Sequence, residues 1–250
     1  MGKSELRGNG SESALIPKKI HYCWFGRNPK PKLAEKCIAS WRKFCPDWEI
    51  IEWNESNFDL DCNPYVRYCY DNQKWAFLSD YVRLAVVCRH GGVYFDTDVE
   101  LVKPLDALRE HGAFYSFETA EMVNTGQGFG AVAGHPTVAA MAAEYEKLLP
   151  DDRGNFPLTP CPAMNTRALE PFGLRSDGSH QNVAGAEILP VEYMNPYDEP
   201  AGRLQKTENT LSIHWYSKSW LSPGLRLRSK LTRPFHRIFG KDCFAVLKKK

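Results

Sequence analysis

The stretch from residue 74 to residue 98 constrains the chain most. Trp75, Leu78, Val82, Ala85 and Val86 recur at the 3.6-residue period of a helix with one buried face. The pattern stops at His90-Gly91-Gly92, where a glycine can take a left-handed stop. Val93-Tyr94-Phe95 then reads as a short buried strand running into Asp96-Thr97-Asp98. A helix that returns through two glycines to a buried strand is the unit of a layered α/β fold, in which carboxylates at a strand's carboxyl end face the ligand crevice.

The preceding sequence agrees with this reading. Residues 19–25 form a β-rich run, a helix follows with Leu33, Cys37, Ile38 and Trp41 on one face until Pro46, and 48–53 reads as a second strand. This βαβ opening predicts an α/β fold with a parallel sheet. Residues 54–72 are polar and rich in turn formers. Beyond the central motif come a strand at 113–117, a glycine-rich stretch at 124–136, an alanine-rich helix at 137–149, a loop rich in Pro, Asp and Gly, and a strand at 210–215.

Charge divides the chain further. The 250 residues carry a net charge of +2, but residues 223–250 hold nine Lys/Arg against Asp242 alone, so that tail is +8 and the remainder −6. Leucines and phenylalanines alternate with the cations, as in interfacial helices that dock on anionic bilayers, with a break expected at Pro234. A helix packed on the body is the alternative. Residues 1–15 read as a disordered leader, and no run approaches the ~20 apolar residues of a membrane span. Eight cysteines without a C-x-x-C pair fit a reduced setting better than a disulfide framework or a zinc site. These features predict a cytoplasmic protein, peripheral at the inner face of a membrane where the tail engages it, with three parts: leader 1–15, body 16–222 and tail 223–250.

The central motif also carries chemistry. Residues two apart on a strand point the same way, so Asp96 and Asp98 are expected to face one hard divalent cation, Mg²⁺ or Mn²⁺. Such a cation can neutralise the charge developing on a diphosphate leaving group. On the helix, Ser79 and Arg83 stand four residues apart and Asp80 and Arg83 three apart, placing a hydroxyl, a carboxylate and a guanidinium on one face.

The segments IPKKIHYCWFG, LSDYVRLAVVCRHGGVYFDTD and IHWYSKSW resemble the sugar transferases of glycosyltransferase family 32, and through them the glucosylating domains of large clostridial toxins. The resemblance implies a GT-A type fold, a Rossmann-like mixed sheet flanked by helices, here with the basic helical tail appended. It implies a UDP-sugar donor, Mn²⁺ or Mg²⁺, a saccharide acceptor and transfer with retention of configuration. Residue by residue, it implies that Trp24 stacks on the donor's base. Ser79, Asp80 and Arg83 hold the donor, Asp96 contacts donor and metal, and Asp98 is the direct metal ligand. His214 joins the metal site, and Ser219 and Trp220 complete the diphosphate site. Asn124, Gly126, Gln127 and Gly128 resemble the segment beneath the donor sugar. Thr159-Pro160-Cys161-Pro162 departs from the family's Gly-Pro signature. The donor hexose is expected to be galactose, glucose or N-acetylhexosamine, with GDP-mannose ranked lower.

With the basic tail, the resemblance points to a lipid-linked oligosaccharide acceptor in capsule, lipopolysaccharide or other surface polysaccharide synthesis. No nucleic acid partner is expected. Two alternatives stay open: a haloacid-dehalogenase-type phosphatase using Asp96 and Asp98, and a non-catalytic sugar- or nucleic-acid-binding module.

Overall fold

The computed structural model describes residues 14–217, 224, 232–234 and 237. In chain order the first elements are β1 (Lys19–Cys23), α1 (Lys32–Phe44), β2 (Glu49–Trp53), α2 (Pro64–Asp71), α3 (Trp75–His90), β3 (Gly92–Tyr94), β4 (Val99–Leu101) and β5 (Ala113–Ser116). There follow β6 (Phe129–Ala131), α4 (Pro136–Glu146), α5 (Cys161–Leu169), β7 (Gln181–Val183), β8 (Ala186–Leu189) and α6 (Val191–Met194). Two-residue strands β9 (Tyr197–Asp198) and β10 (Arg203–Leu204) precede β11 (Ser212–His214).

Seven strands form one mixed sheet in the order β2-β1-β3-β6-β5-β8-β7. β1 pairs in parallel with both β2 and β3, β6 runs antiparallel to β3 and β5, β5 and β8 are parallel, and β7 closes the edge antiparallel. The sheet is therefore mixed, as the family resemblance implies, rather than the parallel sheet of the βαβ opening alone. Two apolar cores cover it. One joins Leu78, Val82 and Val86 of α3 to α4 and α5, and the other joins Cys37, Ile38 and Trp41 of α1 to β4. Neither half of the chain buries these faces without the sheet between them.

Several local choices follow from residue chemistry. Gly92 has φ of +107° and approaches so closely that a Cβ there would meet Lys19 and the His21 imidazole at 2.9 Å, so only glycine admits β3 beside β1. Gly91 ends α3 with positive φ, but its ψ of −178° is extended instead of left-handed. His21 is fully buried: its Nε2 lies 2.8 Å from the Gly91 carbonyl, and its Nδ1 accepts from the Trp53 indole at 3.1 Å.

The turn-rich stretch 54–72 contains α2. Its start is marked by Asn63, whose side chain accepts from the Tyr65 amide, followed by Pro64. The later Pro- and Gly-rich loop contains α5, β7 and β8. Ile16 is the first buried residue among those described, and its amide donates to the Arg109 carbonyl at 2.9 Å. The leader up to residue 13 lies outside the described residues, as does most of the 223–250 tail. Thr232 to Pro234 are helical, and the residues on either side that would show a break at Pro234 lie outside the described residues. The seven described cysteines are free thiols. Among the described residues no helix is long and apolar enough to cross a membrane.

Candidate active site

The aspartate pair does not lie on a strand. β3 ends at Tyr94, and Asp96 to Val99 form a turn closed by the Val99 amide donating to the Asp96 carbonyl at 3.0 Å. The turn, and not strand alternation, brings the two carboxylates together. It also starts β4, which pairs antiparallel with β11 and sets Val99 opposite His214. Strand pairing thus delivers a residue 116 positions downstream to the aspartates. One ligand atom each of Asp96, Asp98 and His214 lies within 4.8 Å of the others.

Asp98 faces the incoming strand. His214 Nε2 stands 3.4 Å from Asp98 Oδ1, the Ser217 amide donates to Asp98 Oδ2 at 2.7 Å, and the Trp215 amide donates to the Asp98 carbonyl at 2.9 Å. Burial opposes ionisation of Asp98, but the His214 charge and the His214 and Ser217 hydrogen bonds outweigh it and hold its carboxyl below the usual range. His214 is buried, which disfavours its charge, yet Asp98 raises its affinity for a proton. Its Nδ1 is buried with no hydrogen-bond partner among the described residues.

Asp96 faces α3. Arg83 Nη2 donates to both its oxygens, at 3.1 and 3.4 Å, and the Tyr94 hydroxyl donates to Oδ1 at 2.9 Å. The same Nη2 pairs with Asp80 at 2.8 Å. Arg83 Nε donates to the Ser79 carbonyl, and the Ser79 hydroxyl, itself donating to Ala76, lies 3.4 Å from Nη2. The Arg83 and Asp80 side chains are only 3% and 10% exposed, which separates this pair from a solvated surface bridge. Burial pushes the Asp80 carboxyl up to about 6, with Arg83 opposing it. Burial likewise raises Asp96, again against Arg83. The Arg83 guanidinium also lies over the Tyr94 ring at 5.0 Å.

The glycine-rich segment floors the site. Asp96 donates its amide to the Gly126 carbonyl, and Asn124 Oδ1 accepts from the Gly126 amide at 2.7 Å. A Cβ on Gly126 would sit 2.5 Å from Asp96 Oδ2 and 2.8 Å from Arg83 Nη1, so glycine is required for space. Gln127 points elsewhere: it is fully buried and donates to Ser116 and Phe117. Gly128 packs against Phe95 and Met194, not the aspartates. Cys161, at the start of α5, lies between Arg83 Nη1 and Asn124 Oδ1 at 3.7 and 3.4 Å.

Trp24 follows β1 at the same sheet end, half-buried, with its indole N–H donated to the Asn28 carbonyl and Lys30 5.6 Å from its ring centre. Gly26, Arg27, Glu55, Tyr70, Asp71, Gln73 and Trp75 wall a pocket. Arg27 and Gln73 are two of the four described non-glycine residues with positive φ, at 57° and 54°. Backbone held in that region costs energy and clusters at functional sites. Ser219 and Trp220 lie outside the described residues.

Four residues at the site are not among the candidates the sequence offers: Tyr94, Cys161, Glu118 and Tyr216. Glu118 Oε1 accepts from Asn124 and from the Tyr216 hydroxyl, each at 3.1 Å, and the Tyr216 ring centre is 4.0 Å from that of His214. Glu118 thereby ties the floor to the His214 strand. Alternation sets Tyr94 two residues before Asp96, on the same side, but the run Val93-Tyr94-Phe95 reads as core.

Two carboxylates and an imidazole form a hard-to-borderline O,O,N donor set, which with the unpartnered His214 Nδ1 fits Mg²⁺ or Mn²⁺.

Residues 31–115 match the family described as glycosyltransferase sugar-binding region containing DXD motif. That span holds Ser79, Asp80, Arg83, Asp96 and Asp98, and leaves out Trp24, Asn124, Gly126 and His214. Inositol phosphoceramide mannosyltransferases 1 and 3 of Schizosaccharomyces pombe are each 28% identical to this chain, over 136 and 134 residues. Each match covers half of this chain but only 41% and 36% of the relative. Among solved structures, the PaToxG glycosyltransferase superposes with a TM-score of 0.46 at 20% identity, over 63% of this chain and 70% of that one. Through the DXD-bearing sugar-binding region that α3, β3 and the aspartate turn build, the chain is similar to glycosyltransferases over about a third of its length, residues 31–115.

Proposed function

We propose that this chain is a divalent-metal-dependent, retaining hexosyltransferase that moves a hexose from a nucleoside diphosphate sugar to a saccharide acceptor. The observation that carries the reading is the convergence of Asp96, Asp98 and His214 beside the buried Arg83–Asp80 pair. UDP-galactose, UDP-glucose and UDP-N-acetylhexosamine are the donors expected from the sequence. The two relatives named as mannosyltransferases add GDP-mannose on equal terms. A lipid-linked oligosaccharide of surface polysaccharide assembly is the proposed acceptor.

Each group has a defined task. Asp98, held ionised by His214 and Ser217, is the anionic anchor for Mn²⁺ or Mg²⁺, and Asp96 and His214 complete the set. A bound cation supplies charge neutralisation at the departing diphosphate. Arg83, fixed by Asp80, Asp96 and the Ser79 carbonyl, offers preorganised N–H groups to donor oxygens, and preorganisation removes the cost of orienting them during reaction. Asp80 accepts from donor hydroxyls. Gly126 leaves the floor open for a sugar ring. The pocket walled by Arg27, Glu55, Tyr70 and Trp75, lined by both signs of charge and two aromatic rings, suits the uncharged nucleoside better than phosphate. Asp80 and Asp96 are both engaged by Arg83, which disfavours either as a covalent nucleophile and supports same-face attack by the acceptor hydroxyl.

The same engagement argues against the phosphatase alternative, which requires Asp96 as a free nucleophile. A non-catalytic module would bind donor without turnover.

The test incubates the purified chain with Mn²⁺ and each nucleotide sugar, reading nucleoside diphosphate release and the anomer formed. One donor should turn over with retention, and EDTA and Asp98→Asn should each reduce turnover at least about a hundredfold. Full activity in Asp98→Asn, or an inverted product, overturns the corresponding part of the reading.

A further inference from the structure

The body carries a small hairpin outside the main sheet, β9–β10, and the described part of the basic tail is clasped to it. Arg233 Nη2 donates to Glu199 Oε1 at 3.1 Å, and its guanidinium lies 6.0 Å from the Tyr197 ring centre. Arg237 donates through Nε and Nη2 to the Ala201 and Gly202 carbonyls at 3.2 and 3.1 Å. In return, Arg203 Nη2 donates to the Arg237 carbonyl at 3.1 Å. Five contacts thus join two segments more than thirty residues apart.

We propose that the β9–β10 hairpin, with Arg233 and Arg237 clasped to it, forms a docking surface for an anionic lipid bilayer. Charge and exposure point to this occupant. Arg203 and Arg237 meet at the hairpin tip, both exposed, and Lys206 follows exposed two residues beyond β10. Between Arg203 and Lys206 lies Leu204, 41% exposed and one of five large apolar side chains left open to solvent among the described residues. The loop's own acid, Glu199, is buried against Arg233, so the clasp removes a negative charge from this surface and leaves Asp198 as the exposed acid of the hairpin. An apolar side chain rimmed by cations is the composition that enters a headgroup layer.

The clasp adds what a free basic tail lacks, a fixed orientation. Tyr197 of β9 packs on Trp215 at 5.2 Å, and Trp215 directly follows His214. A bilayer held at the hairpin would therefore lie two aromatic rings from the metal-ligating strand. This inference does not depend on the transferase reading, because it concerns where the chain sits and not what it turns over.

The test is flotation of the full chain with phosphatidylcholine vesicles and with mixed phosphatidylcholine–phosphatidylglycerol vesicles, at low and high salt. The wild-type chain should float with the anionic vesicles alone and release in high salt. Arg203→Glu/Leu204→Glu should weaken that binding about tenfold or more while leaving the melting temperature unchanged, since each cation near an anionic surface contributes about a fivefold gain. Arg237→Ala, a milder variant, should weaken it less. Undiminished binding by the double variant removes the hairpin from the surface. Equal binding of neutral vesicles, or tighter binding of a DNA duplex than of anionic vesicles, overturns the proposal.

Discussion

Asp96 and Asp98 stand two residues apart and are held by opposite partners. Asp96 is shared with Arg83 and Tyr94, whereas Asp98 is met by His214 and the Ser217 amide. The pair spans the gap between α3, which grips the donor in this account, and β11, whose His214 completes the proposed metal set. Gly126 sits at the narrowest point of that arrangement. Gly126→Ala should lower kcat/KM about a hundredfold, because its methyl displaces Asp96 and Arg83 by an ångström or so. Kinetics read beside a urea midpoint check this, and wild-type kinetics would show that the floor is not used. Asp80, Arg83, Asp96 and Asp98 were legible because short spacings on a helix and beyond a strand bring them near one another. Cys161, Glu118 and Tyr216 were not, since each reaches the site through long-range packing that no local pattern encodes.

Among elements, α3 and β3 were readable from a strong 3.6-residue period and its glycine stop. α2, α5, β7 and β8 were not, because their segments are dense in Pro, Asp and Gly and their short apolar runs gain their burial only from the sheet. The aspartate turn was misread for a related reason: three apolar residues look like strand to their end, while β11 pairing dictates where the chain bends. His21 shows how these elements are locked, joining β1 to the end of α3 and to β2. Burial lowers its imidazole to about 4 from an ordinary 6.5. The unfolded chain therefore binds a proton between those values that the folded chain refuses, and stability falls with falling pH in that window. Urea denaturation should show about 2 kcal/mol of His21-dependent loss between pH 7.5 and pH 5. His21→Gln should remove that share of the pH dependence, and an unchanged profile would mean that His21 does not carry it.

At the scale of the whole molecule, the site lies where two sheets meet. The seven-stranded sheet ends β3 at the aspartate turn, and the separate β4–β11 pair brings in His214 from the far end of the body. Neither the half containing Asp96 and Asp98 nor the half containing His214 holds the ligand set alone. The matched region at 31–115 likewise lacks His214. The most direct test of this assembly is a Mn²⁺ titration followed by electron paramagnetic resonance on the wild-type chain, Asp98→Asn and His214→Ala, each shown folded by its melting curve. The account predicts one bound Mn²⁺ in the wild-type chain, with affinity lowered at least about tenfold in each variant. Wild-type affinity in both folded variants would contradict it.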